Sequence, residues 1–232
     1  MPSLGAVRNK TLRDVAYESI KASIMNNESK QGEHLTIAGL ANKLGISPTP
    51  VREAVVRLSN EGILDYVVNK SIRVSIITET SVKEIYEARR LLEIAIGKTF
   101  PNILEEKQFI IEQLEVLRLD THSLLKGNHN PDKYSSIDLK LHDVFIEIVQ
   151  NSIIQDLFYM VGEKSLRIRT FVETTRMDGE NSQEILKSTA REHLAIIEAL
   201  LDCDKKRITR NLKLHLNNSE KRTLEALKRS IN

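Results

Sequence analysis

The stretch Ile37-Ala38-Gly39-Leu40-Ala41-Asn42-Lys43-Leu44-Gly45-Ile46-Ser47-Pro48-Thr49-Pro50-Val51-Arg52-Glu53-Ala54 carries the most specific local pattern in the chain. Leu35 to Leu44 reads as a short helix with Thr36 placed to cap it, and Gly45 stops it. A second helix runs from its cap, Ser47, to about Glu61. Pro48 and Pro50 fall in its first turn, where a missing N–H costs least. Two helices that cross steeply through a tight turn need a small residue at the crossing and apolar residues that share a core. Ala41 leaves that room, and Leu40, Leu44, Ile46, Val51 and Ala54 can form the core. Ser47, Thr49 and Arg52 are left near the exposed start of the second helix. In a helix-turn-helix that end enters the major groove, where hydroxyls meet phosphate and Arg52 meets phosphate or a guanine edge. An ordinary αα-hairpin has the same small-residue corner, so the motif taken alone leaves that alternative open.

The flanking sequence narrows the choice. From Leu12 to Met25, the residues Leu12, Val15, Ala16, Ile20 and Ile24 fall on one helical face, and Asn26-Asn27 with Gly32 supply a break. After Gly62, residues 63–68 and 72–77 are rich in β-formers and flank the turn-like Asn69-Lys70-Ser71. The order helix, helix, helix, strand, turn, strand predicts a winged helix-turn-helix. Lys70 in the turn and Arg73 just beyond it would then reach the DNA backbone or minor groove. The plainer alternative makes both of them solvated turn charges.

Near residue 77 the pattern changes to helical period throughout. Helices are expected at about 81–99, 103–126, 134–150, 153–175, 182–202 and 204–229, with breakers at Pro101, at 127–131 and at 177–181. Their lengths and short loops predict an antiparallel bundle. The expected fold is therefore mainly α, with a winged helix-turn-helix over 1–77 and an all-helical domain over 78–232.

Composition agrees with a soluble globular protein. Of 232 residues, 41% are hydrophobic and 28% charged, while aromatics are 4% and Trp is absent, so the cores rest on Ile, Leu, Val and Ala. No apolar run approaches the roughly 20 residues that span a bilayer, and residues 1–8 hold no signal-peptide core. A single cysteine, Cys203, suits a reducing compartment, so the cytoplasm is the expected location. Net charge is +2, distributed unevenly: ten Lys/Arg against seven Asp/Glu in residues 1–76, and 24 against 25 behind them. The slight basicity of the front is in the direction that a nucleic-acid partner requires.

Six histidines occur, and His34, His122 and His129 fall in loops or at helix ends. The other three, His142, His193 and His215, lie inside amphipathic helices. Asp138 precedes His142 by four residues and shares its face. Side chains from separate helices of a bundle can converge on a metal, and three His with one Asp suit Zn, Mn or Ni. Spacing alone leaves the alternative of three hydrogen-bonded core histidines. Arg89 or Arg90 could meet an acidic effector, as could Arg167 and Arg169, because a guanidinium matches carboxylate geometry. For Arg89 the alternative is an i,i+4 ion pair with Glu93.

Taken together, Gly32-Glu33-His34-Leu35, the run Leu40 to Val55, and Leu58-Ser59-Asn60-Glu61-Gly62-Ile63-Leu64 resemble the GntR family of bacterial regulators. The rear half resembles that family's FadR, or FCD, group in its shorter, six-helix version. The matching features are Glu87-Ala88-Arg89-Arg90-Leu91-Leu92-Glu93, Asp138 and His142 followed by Asn151, Glu192-His193 followed by Ala199, and His215-Leu216. The resemblance implies a homodimer on a palindromic operator in double-stranded DNA, usually a repressor released by a small metabolite. It also implies a metal held by Asp138, His142, His193 and His215, with open positions for an effector carboxylate. Two departures stand out: Pro48 occupies a position where many members read bases with Arg, and Ser71 replaces a usual wing glycine.

Two other classes of function remain at this level. A metal held by three His and one Asp could activate water, as in a metal-dependent hydrolase, although no separate general base stands out. A helical adaptor could use a winged helix to bind protein instead of DNA.

Overall fold

The computed structural model describes residues 10–67, 71–100, 108–127, 131–176 and 182–231. It separates into two compact units that meet between Ile77 and Thr78.

In the front unit, Thr11 and Asp14 form a reciprocal capping box that starts α1 (Leu12–Met25). A short strand β1 (His34–Leu35) leads into α2 (Ile37–Leu44), where the Thr36 hydroxyl accepts from Gly39 N–H. Gly45 ends α2 in the left-handed region, at φ 66°, and turns the chain into α3 (Pro48–Asn60). Strands β2 (Leu64–Val67) and β3 (Ser71–Val74) follow, and the antiparallel sheet runs β1-β3-β2. Ala16, Ile20, Ile24, Ala41, Val51, Ala54, Leu58, Leu64 and Val74 build one core, with Leu40, Leu44 and Ile46 packed on its edge. Leu12 and Val15 are exposed, contrary to the single face expected for them. The buried stripe is Ala16, Tyr17, Ile20 and Ile24, and at about 100° per residue Val15 falls well outside it. Strand β1 was not anticipated. Lys70 lies outside the described residues.

In the rear unit, Thr78 and Ser81 form a second capping box at the start of α4 (Glu79–Thr99). The remaining helices are α5 (Gln108–Leu125), α6 (Pro131–Ile148), α7 (Ser152–Arg176), α8 (Ser182–Leu201) and α9 (Lys205–Ile231). Asn151 caps α7, accepting from Ile153 N–H and Ile154 N–H at 3.0 and 3.2 Å. Phe100, Leu114, Phe145, Ile196, Ile197 and Leu200 form the centre of the second core. At Gly97 a methyl group would sit 2.8 Å from Ile208 Cγ2 and 2.9 Å from Leu212 Cδ1, so α4 and α9 approach closely there. Among the described residues no helix is long and apolar enough to cross a membrane.

Candidate functional site

Ser47, Thr49 and Arg52 are all exposed at the N-terminal end of α3, while Val51, Ala54, Val55 and Leu58 turn inward. Ser47 has the extended backbone of a cap, yet its hydroxyl makes no capping bond. The reason is local: Pro50 stands three residues on, where the usual N–H partner would be, and Pro48 removes another donor. Of the four N–H groups that a helix start leaves unpaired, only those of Ser47 and Thr49 exist here. Arg73 lies on β3 opposite His34 on β1, and its Nη2 donates to His34 Nε2 at 2.7 Å.

In the rear unit Asp138 on α6, His193 on α8 and His215 on α9 converge, with one potential ligand atom from each within 4.8 Å of the others. All three are buried. His193 Nε2 approaches Asp138 Oδ1 to 3.2 Å, and its ring stacks on Tyr134 at 5.8 Å between centroids. Neither nitrogen of the 1% exposed His193 ring makes an aligned hydrogen bond. A buried imidazole in that position costs stability unless something binds it.

His142, expected as a fourth ligand, borders this cluster without entering it. One turn beyond Asp138 it meets α4, and Arg89 Nη2 donates to its Nε2 at 2.9 Å. The same nitrogen is 3.8 Å from Asp138 Oδ1. Arg89 also pairs with Glu93 at 2.6 Å, the i,i+4 alternative open at the sequence level, and both side chains are 3% exposed. Arg169 on α7 donates to Asp138 Oδ2.

His215 Nδ1 lies 3.0 Å from a Glu192 carboxylate oxygen, which leaves Nε2 as the ring atom available to an ion. Glu192 is fixed in turn by both Nη atoms of Arg222, each at 2.8 Å, and by Asn218 Nδ2 at 2.8 Å. Sequence reasoning missed the role of Glu192, Asn218 and Arg222. The turn-by-turn spacing of Asn218 and Arg222 from His215 on α9 was the available indication, with Glu192 lying on α8 next to His193.

Electrostatics sort these groups. Burial pushes the Asp138 carboxyl up, but Arg169, the His193 contact and His142 outweigh it and hold it well below the usual range. Burial, aided by Arg89 and Arg169, keeps His142 well below an ordinary histidine. For His215, burial wins over the Glu192 bond and lowers it to about 4. Glu192 is raised by burial, yet its bonds to Arg222 and His215 bring it to about 2. Asp138 is thus held as a carboxylate, and His142 and His215 as neutral imidazoles, at neutral pH, the protonation states that metal coordination needs. Asp138, His193 and His215 would hold a divalent ion, and the orphaned nitrogens of His193 are the feature that fits it.

Beside the cluster is a cavity of about 140 Å³, whose lining includes Arg89, Arg169 and His142, the acidic Glu93, Asp143 and Glu163, and apolar Leu139, Ile146 and Phe158. That volume corresponds to several waters.

The comparisons with known proteins agree with this geometry. Residues 12–74 match the family model of the bacterial regulatory proteins of the gntR family, and residues 84–218 match the FCD domain. The chain is 25% identical over 203 residues to YdhC, an HTH-type transcriptional regulator of Bacillus subtilis, covering 87% of this chain and 86% of YdhC. In fold it is similar to McbR/YncC of E. coli, with a TM-score of 0.69 at 19% identity over 97% of this chain and all of that one. It is also similar to the metal-free FCD domain of the transcriptional regulator TM0439, with a TM-score of 0.52 at 22% identity over 66% of this chain and 99% of that one. The hydrolase alternative falls away, because both halves match models of regulators and not of enzymes. The chain belongs to the GntR family of bacterial transcription regulators, with a winged helix-turn-helix in front of an FCD effector domain.

Proposed function

We propose that this regulator is a cytoplasmic homodimeric repressor on a palindromic operator, released when its FCD domain binds a small carboxylate beside a divalent Zn, Mn or Ni ion. The observation that carries the effector half is His193, buried between Asp138 and His215 with neither ring nitrogen in an aligned hydrogen bond. Glu192 orients His215, and Arg89 with Arg169 supplies cationic groups to the adjoining cavity. The ion would supply a positive charge that an effector carboxylate can meet.

In the front half, Ser47 and Thr49 contact phosphate, Ser47 with a hydroxyl that no cap engages. Arg52 is the main cation of the reading end. Pro48 in place of a base-reading Arg shifts specificity toward Arg52 and the wing. Lys70 and Arg73 serve the backbone from the wing, Arg73 after leaving His34. A repressor that changes its affinity for DNA needs its ligand to bind one conformation better than another.

Electrophoretic retardation of the gene's own upstream DNA tests this reading. At low salt the full chain retards that DNA, Arg52→Ala weakens the complex, and an effector carboxylate with zinc releases it. No retardation at low salt would overturn the DNA reading. Equal zinc content in the wild type and in a His193→Ala, His215→Ala double variant would overturn the metal reading.

A further inference from the structure

The carboxylate that an ion would need is already held by a cation of the protein itself. Asp138 is the one carboxylate of the ligand cluster, and Arg169 donates to its Oδ2 from α7. A second guanidinium stands next to it, since Arg89 donates to His142 Nε2. Both arginines line the adjoining cavity, and each keeps a buried donor without an acceptor, Nε of Arg169 and Nη1 of Arg89. Arg169 holds Oδ2 while Oδ1 faces His193, so a divalent ion on Oδ1 and the guanidinium on Oδ2 would share one carboxylate and repel one another at close range.

We propose that Arg169 is a displaceable internal counter-ion. An arriving divalent ion takes Asp138 from it, and the released guanidinium, turned toward the cavity with Arg89, becomes the anchor for a small carboxylate anion. Ion and anion then bind cooperatively, each raising the affinity of the other by the same factor, as linkage requires. The exchange is available to Arg169 because its side chain is 15% exposed and lines the cavity, whereas Arg89 is fixed by Glu93 with both at 3%. This inference rests on the metal reading above and adds an order of events to it.

A role for Arg169 that is only structural predicts the opposite sign to the exchange. Removing a merely structural partner of Asp138 loosens the site and weakens ion binding. Removing a competitor tightens it. The test is zinc affinity of the full-length protein, measured by competition with a chromophoric chelator at pH 7.5, with and without acetate as the simplest carboxylate. Arg169→Gln is expected to bind zinc about tenfold tighter than the wild type, the worth of one charge-assisted hydrogen bond. Arg169→Lys, which keeps a competing cation, stays near the wild type. Acetate raises zinc affinity in the wild type, and Arg169→Gln loses that coupling. If the wild type binds zinc while Arg169→Gln binds it equally or more weakly, the exchange is wrong and the metal site stands. If the wild type binds no zinc, the metal reading fails and takes the exchange with it. Should Arg169→Gln not fold, arginine side-chain ¹⁵N spectra of the wild type decide. An Arg169 resonance that shifts with zinc and again with acetate supports the exchange, and one that stays still refutes it.

Discussion

Glu192 is not among the converging ligand atoms, yet it holds the ring of His215 through Nδ1 and is itself clamped by Arg222 and Asn218. Such a partner fixes which imidazole nitrogen carries the proton and which faces the ion. Glu192→Gln is therefore expected to lower zinc affinity by about 10- to 100-fold, read by chelator competition, with Arg222→Met moving it the same way. Unchanged affinity in both variants would mean that Glu192 is only a structural ion-pair partner. How much of the site could be read in the sequence depended on range. Asp138 and His142 share a face by simple i,i+4 spacing, and His193 and His215 stand out because an imidazole is unusual on an apolar stripe. That Arg169 would reach Asp138 from 31 residues away, or that His142 would turn to Arg89 instead of the cluster, depends on how α4, α6 and α7 pack. No local spacing contains that information.

At the scale of elements, helix ends were the most legible features, because capping is local chemistry. Thr36 caps α2 where expected, and Gly45 adopts the left-handed conformation that its place after Leu44 suggested. Ser47 was legible as a position but not as a bond, since Pro50 removes the N–H three residues on that such a cap most often uses. Strand β1 has two residues, too few to display an alternating period, and it exists because β3 offers it an edge. Close helix packing was also hidden: nothing around Gly97 announces that Ile208 and Leu212 press against it. Gly97→Ala forces a methyl group into that contact and against a stiff β-branched Ile208. It should destabilise the chain by about 1–3 kcal/mol in urea unfolding, whereas the same change in an open helix would stabilise it. A midpoint at or above the wild type would show that α4 and α9 separate freely.

The molecule as a whole is two units with separate cores, divided at the peptide between Ile77 and Thr78. Each core is closed by residues of its own unit, so ion binding should not depend on the front. A fragment of residues 78–232 is expected to unfold cooperatively and to bind zinc as tightly as the full chain, checked by circular dichroism and chelator competition. A fragment that folds but loses the ion would show that the front unit completes the site. The chain has no tryptophan, so its ultraviolet emission is that of five tyrosines alone, and Tyr134 lies stacked within 13° of parallel on the ring of His193. A paramagnetic ion such as Ni²⁺ seated on His193 would quench that ring and leave more distant tyrosines bright. The protein thereby carries a built-in luminescent gauge of its own occupancy, readable without any label.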